Sequence, residues 1–80
     1  MQLTVNAPIF GDNASNITEV AGKYPGKVLI KKDHWVVDAK SLLGLLALAL
    51  QPGNTVEVEL EGDVDKKVLD ELVETGLFTS

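Results

Sequence analysis

Apolar and polar positions along this chain change period several times, and each change marks an element. Leu3, Val5 and Ala7 alternate with Gln2, Thr4 and Asn6, the two-residue period of a half-buried strand that Pro8 ends because it has no N–H to donate. After the polar stretch Gly11 to Asn16, Ile17, Val20, Ala21 and Tyr24 fall at helical spacing, predicting a helix over about residues 14–23 that Pro25 and Gly26 stop. Lys27 to Lys31 and Trp35 to Asp38 are β-prone runs joined around Lys32-Asp33-His34, the pattern of a hairpin.

Ser41 precedes a run of leucines, and its hydroxyl suits the free amides at a helix start. That helix, Leu42 to Leu50, is apolar nearly all round, so it must be covered or must offer an adhesive face. Pro52-Gly53-Asn54 reads as a turn. Val56, Val58 and Leu60 then alternate with Thr55, Glu57, Glu59 and Glu61, and glutamates on one face place that face in water. Asp63 is positioned to cap a last helix whose stripe is Val64, Val68, Leu69, Leu72 and Val73, with Gly76 as its stop. The expected order is βαββαβα in one domain over residues 1–80, a four-stranded antiparallel sheet backed by helices. A ferredoxin-like arrangement and an open-faced sandwich both fit.

Composition narrows the chemistry. The chain has no cysteine and no arginine and only one histidine, so disulfides, thiolate nucleophiles and cysteine-held metals are excluded. Its net charge of −5 is uneven: residues 1–50 carry five lysines against four acids, and residues 51–80 two lysines against eight. Without a basic stripe or a guanidinium there is no electrostatic footprint for nucleic acid. The nine-residue run Leu42 to Leu50 falls short of the roughly 20 residues a membrane helix needs. With no basic, apolar leader at Met1 to Val5, a cytoplasmic location is expected. Glu57, Glu59 and Glu61 alternate along a strand rather than converging, so no metal is expected, and no cofactor is implied.

The block Asp38-Ala39-Lys40-Ser41-Leu42-Leu43-Gly44-Leu45, followed by Gln51-Pro52-Gly53, an alternating valine strand and Glu61-Gly62-Asp63, resembles the HPr family. These are small phosphocarriers of the bacterial sugar phosphotransferase system. The resemblance implies an α+β, open-faced β-sandwich of four antiparallel strands and three helices. It also implies a site, the motif Gly-Leu-His-x-Arg-Pro-Ala, whose histidine accepts a phosphoryl group from enzyme I. Here the corresponding stretch is Pro8-Ile9-Phe10-Gly11-Asp12-Asn13-Ala14, which puts Phe10 at the histidine position and Asp12 at the arginine. A phenyl ring has no lone pair for phosphorus, and a carboxylate repels the group that a guanidinium would hold.

His34, the remaining imidazole, reads as a turn residue; a phosphocarrier using it as an unrecognised acceptor is the alternative. Ser41 corresponds to the serine that HPr kinase/phosphorylase modifies in Gram-positive relatives, and it is equally explained as a helix cap. A phosphate there would meet a helix N-terminus, with Lys40 adjacent. Lys40, Ser41, Leu42, Leu43 and Leu46 form the expected partner-binding set, with enzyme I, the kinase or a transcriptional regulator as the partners the resemblance implies. Self-association into a homodimer through the leucine face is a further reading. The chain is thus expected to be a regulatory or binding module without the carrier reaction, or else an unrelated interaction domain.

Overall fold

A computed structural model describes all 80 residues. Its elements are β1 (Gln2–Val5), α1 (Asp12–Gly22), β2 (Lys27–Lys32), β3 (Trp35–Asp38), α2 (Leu42–Leu48), β4 (Thr55–Glu61), α3 (Lys67–Glu74) and β5 (Phe78–Thr79). The strands form one antiparallel sheet in the order β3-β2-β4-β1-β5. The expected α+β order of seven elements is present, with one strand added.

That fifth strand corrects the expected count of four. Gly76, at φ 81°, reverses the chain after α3, and Leu77 and Phe78 turn inward. Phe78 pairs with Val5, and Asn6 Nδ2 donates to Thr79 Oγ1 at 2.6 Å. Two residues are too few to show an alternating period, so only burial of Phe78 against β1 reveals the strand.

Three helix boundaries also move. α1 starts at Asp12, two residues earlier than the spacing suggested. α2 ends at Leu48 because Ala49 adopts a left-handed conformation, φ 49°, and Leu50 continues as buried loop whose carbonyl accepts the Ile9 N–H at 3.0 Å. α3 starts at Lys67, and Asp63 does not cap it; Asp65 Oδ1 instead accepts the Lys67 N–H at 2.9 Å. Gly62, with φ 80°, bends the chain first and uses up the residues that would have formed another turn of helix.

All 18 buried residues are apolar, and they form one core. Leu3, Val5, Val28, Ile30, Val56 and Val58 supply the sheet side, and Ala14, Ile17, Ala21, Leu45, Val68 and Leu72 the helix side. No polar residue is buried as a whole, although the Glu71 Oε2 atom is buried without a hydrogen bond. The opposite face of the sheet is wet, as the glutamates of β4 required: the Met1 amine pairs with Glu57 at 2.9 Å, and Lys31 pairs with Glu59. That contact, above all its hydrogen bond to Glu59, raises the Lys31 pKa above its ordinary value. Gly26 shows why glycine is needed where β2 begins. At φ 83°, an added Cβ would sit 2.7 Å from both Glu61 O and Val64 Cγ2.

Candidate functional site

The start of α1 is the first place to look for carrier chemistry. Asn13 N–H bonds Phe10 O at 3.2 Å, Ser15 N–H bonds Gly11 O at 3.2 Å, and Asn13 Nδ2 bonds Pro8 O at 2.9 Å. Together these contacts lock the turn. Gly11 occupies the cap position at φ 57°, and no side chain caps the helix. Phe10 projects outward, 64% exposed, and Asp12 is the acid of the first turn. Exposed amides at a helix N-terminus favour an anion. Here the neighbouring carboxylate opposes one, and no lysine occurs before Lys23. The structure thus holds an exposed apolar side chain just before α1.

The start of α2 is built differently. Ser41 is extended, φ −95°, and its Oγ accepts the Gly44 N–H at 3.1 Å while its carbonyl accepts the Leu45 N–H at 3.1 Å. Asp38 organises the approach: Oδ1 takes the Lys40 N–H and the backbone carbonyl takes the Ser41 N–H, both at 2.9 Å. Ser41 is therefore an observed cap, and its residue is exposed. Gly44 lets α2 lie close to β3, since a Cβ there would come within 3.1 Å of Val37 Cβ.

Lys40 is not free beside Ser41. Its Nζ donates to Tyr24 O at 2.7 Å and Gly26 O at 2.8 Å, tying the end of α1 and the start of β2 to the approach to α2. Two carbonyls already neutralise part of the charge that was expected to favour a phosphate. Leu45 and Leu48 face inward, while Leu42, Leu43 and Leu46 are 41%, 80% and 39% exposed. The leucine run therefore divides: one part is core, and the other is a surface face.

Connectivity relates these residues. Lys40 fastens the end of α1 to the start of α2, and Ile9 fastens the approach to α1 to the segment after α2. α1 and α2 therefore run in opposite directions. Phe10 follows Ile9, whose N–H bonds Leu50 O, and so lies toward the far end of α2 from Ser41. His34 sits in the β2–β3 turn beside Asp33, whose φ of 55° an aspartate tolerates, and that turn is at the opposite end of β3 from Ser41. The structure brings the set 40–46 together and leaves His34 apart. Next to that turn, Lys32, Asp33, Trp35, Ala47 and Leu48 line a cavity of about 170 Å³.

Two contacts escaped the sequence pattern. Tyr24 Oη donates to Glu71 Oε1 at 2.6 Å, clasping α1 to α3, with Lys23 Nζ 3.6 Å from the other carboxylate oxygen. This hydrogen bond, then burial, pushes the Tyr24 pKa up to about 12. On β3, Trp35 and Val36 are 68% and 54% exposed. Val36 lies on the wet face opposite Lys31, and Trp35 lies at the turn end of the outermost strand.

Fold and site define a small α+β domain with an open antiparallel sheet, and the comparisons with known proteins identify its family. The family profile described as "PTS HPr component phosphorylation site" matches residues 11–75, beginning one residue after Phe10. The chain belongs to the HPr family, a component of the phosphotransferase system. It is 32% identical to phosphocarrier protein HPr of Cupriavidus necator over 60 residues, covering 75% of this chain and 67% of that one. It is 30% identical to the HPr-like protein Crh of Halalkalibacterium halodurans over 60 residues, covering 75% and 71%. Among solved structures, HPr-C-His from Thermoanaerobacter tengcongensis superposes with a TM-score of 0.83 at 25% identity, over 92% of this chain and 85% of that one. No helix is long and apolar enough to cross a membrane.

Proposed function

We propose that this HPr-family chain is a cytoplasmic regulatory or protein-binding module that does not carry phosphoryl groups, and that it acts through the region Ser41 to Leu46. The observation that carries the reading is the exposed Phe10, the residue that the resemblance puts at the acceptor-histidine position. Phenylalanine cannot attack phosphorus, and Asp12 places negative charge where a phosphoryl group needs a cation. The face remaining beside it is apolar and rigidly held by the Ser41 cap, Gly44 and the Lys40 clasp.

Partners of the kind this reading favours are proteins of the phosphotransferase system and its control: enzyme I, HPr kinase/phosphorylase or a transcriptional regulator. Leu42, Leu43 and Leu46 supply the contact area, each worth about 1.5–3 kcal/mol when fully buried. Ser41 is the regulated residue in this reading. A phosphate on its oxygen adds roughly −1.5 to −2 charge beside the first amides of α2. Lys40 acts there mainly by fixing the backbone, because its ammonium is engaged by Tyr24 and Gly26.

The test has two arms. Incubation with enzyme I and phosphoenolpyruvate is expected to leave the chain without an acid-labile phosphate; finding one on any residue overturns the reading. Incubation with HPr kinase/phosphorylase and ATP is expected to give an acid-stable phosphate that Ser41→Ala abolishes. Its absence removes the regulated serine and leaves Ser41 as a cap.

A further inference from the structure

We propose that the cavity between the β2–β3 turn and the end of α2 binds a small zwitterion, a free α-amino acid with a short aliphatic side chain. It is the molecule's one cavity, about 170 Å³, lined by Lys32, Asp33, Trp35, Ala47 and Leu48. At about 30 Å³ of liquid volume for each water it has room for roughly six, which suits valine and is too small for an aromatic amino acid.

Strand alternation explains why the space exists. Val28 and Ile30 of β2 point into the core, so Lys32 lies on the helix side of the sheet, and its cross-strand partner Trp35 lies there with it. Val37, on the same side of β3, packs against the core. Trp35 does not: at 68% exposed, its indole leaves a space over the end of α2. There the helix presents the methyl group of Ala47 and the side chain of Leu48, and Ala49, at φ 49°, turns the chain away.

Two opposite charges line this space, and neither is used by the fold. Lys31, on the wet face, pairs with Glu59, whereas the Lys32 ammonium pairs with no carboxylate. Asp33 is held in the turn at φ 55°, and its carboxylate accepts no hydrogen bond and does not reach Lys32. The glutamates of β4 belong to the other face and cannot serve Lys32.

That pair of charges selects the ligand. An anion is attracted by Lys32 and repelled by Asp33, and a cation meets the reverse. A neutral apolar molecule strips water from both charges and replaces none of it. An α-amino acid carries both complements on one carbon. Its carboxylate meets Lys32, its ammonium meets Asp33 with the Trp35 indole beside it, and its side chain lies on Ala47 and Leu48. None of these contacts uses Ser41 to Leu46.

Titration of the full chain with L-valine tests this, followed by the emission of Trp35, the single tryptophan, and by backbone amide chemical shifts. A saturable response is expected with half-saturation on the order of 1 mM, as suits so small a ligand, and with the shifts centred on the cavity residues. Isovalerate, which is valine without its ammonium, and isobutylamine, which is valine without its carboxylate, are each expected to bind at least about tenfold more weakly. Lys32→Met and Asp33→Asn are expected to weaken valine binding to the same extent, with circular dichroism reporting the fold. Asparagine tolerates the positive φ of that turn, so the test survives if Lys32→Met does not fold. No saturable response at about 100 mM valine overturns the proposal. So does isovalerate binding as tightly as valine, or a response that Lys32→Met and Asp33→Asn both leave intact.

Discussion

The N-termini of α1 and α2 present the same backbone opportunity, unpaired amides at a positive helix end, and the chain treats them in opposite ways. At α1 the cap position is Gly11, with no side-chain acceptor, flanked by an outward phenylalanine and the exposed acid Asp12. At α2 the cap is a serine whose oxygen is already bonded to an amide, approached through an aspartate that braces the two preceding N–H groups. The backbone does not decide what a helix terminus binds. The side chains placed around it do, and here they leave the start of α1 without a side-chain cap and the start of α2 capped by Ser41.

The contrast between core and surface within α2 should produce the largest effect. Leu45→Ala is expected to cost about 2–5 kcal/mol in denaturant unfolding, as a fully buried leucine leaving a cavity. Leu43→Ala should stay within about 0.5 kcal/mol of the parent chain, since most of that side chain is already in water. If the two cost the same, the division of the leucine run into core and docking face fails.

Comparing the two helix caps directly gives the next effect. Ser41→Ala is expected to lose about 1 kcal/mol, and Ser41→Asp to retain stability because aspartate is an equally good acceptor. Gly11→Ser should gain nothing comparable, because a positive φ disfavours a side chain there. Equal responses at the two positions would show that the Ser41 bond is incidental.

A chemical test of the same pair restores the carrier groups. Phe10→His with Asp12→Arg is expected to accept phosphate from enzyme I and phosphoenolpyruvate, whereas Phe10→His alone is expected to accept far less. Failure of the double variant, with the fold intact, would mean that the geometry at α1 is altered beyond those two side chains.

The smallest effect concerns the α1–α3 clasp. Tyr24 is the single tyrosine, so ultraviolet absorbance follows its ionisation without overlap. Its pKa is raised from 10.0 to about 12 in the folded chain, which means folding favours the protonated phenol. The clasp's contribution is therefore fully present below pH 10 and is lost as pH rises from 10 toward 12. Tyr24→Phe should remove that alkaline dependence, and Glu71→Gln should move the midpoint back toward the ordinary tyrosine value. An unshifted midpoint in the parent chain would show that the hydrogen bond does not persist in solution.

Local rules recovered much of this molecule because local physics governs it. The period of β4 and the apolar stripes of α1 and α3 follow from which faces must leave water, so the sequence reveals them. Ser41 as a cap is likewise a matter of three neighbouring residues. The expectation for Asp63 failed for a reason just as local in origin but decided elsewhere. Gly62 bends the chain against Gly26, α3 starts only at Lys67 without a side-chain cap, and Asp65 Oδ1 accepts the Lys67 N–H in the turn before it.

The sequence by itself determined the order of the main elements, the wet face of the sheet and the cap at Ser41. Each depends on residue type or on spacing within a few positions. Tertiary structure alone decided that Phe78 and Thr79 form a fifth strand, that Lys40 donates to Tyr24 and Gly26, that Tyr24 meets Glu71, and that Trp35 and Val36 remain exposed on the outermost strand. These contacts join residues far apart in the chain, or depend on which strand has no neighbour. No local period encodes which distant side chain fills a given space, because that choice is made by the packing of the whole core.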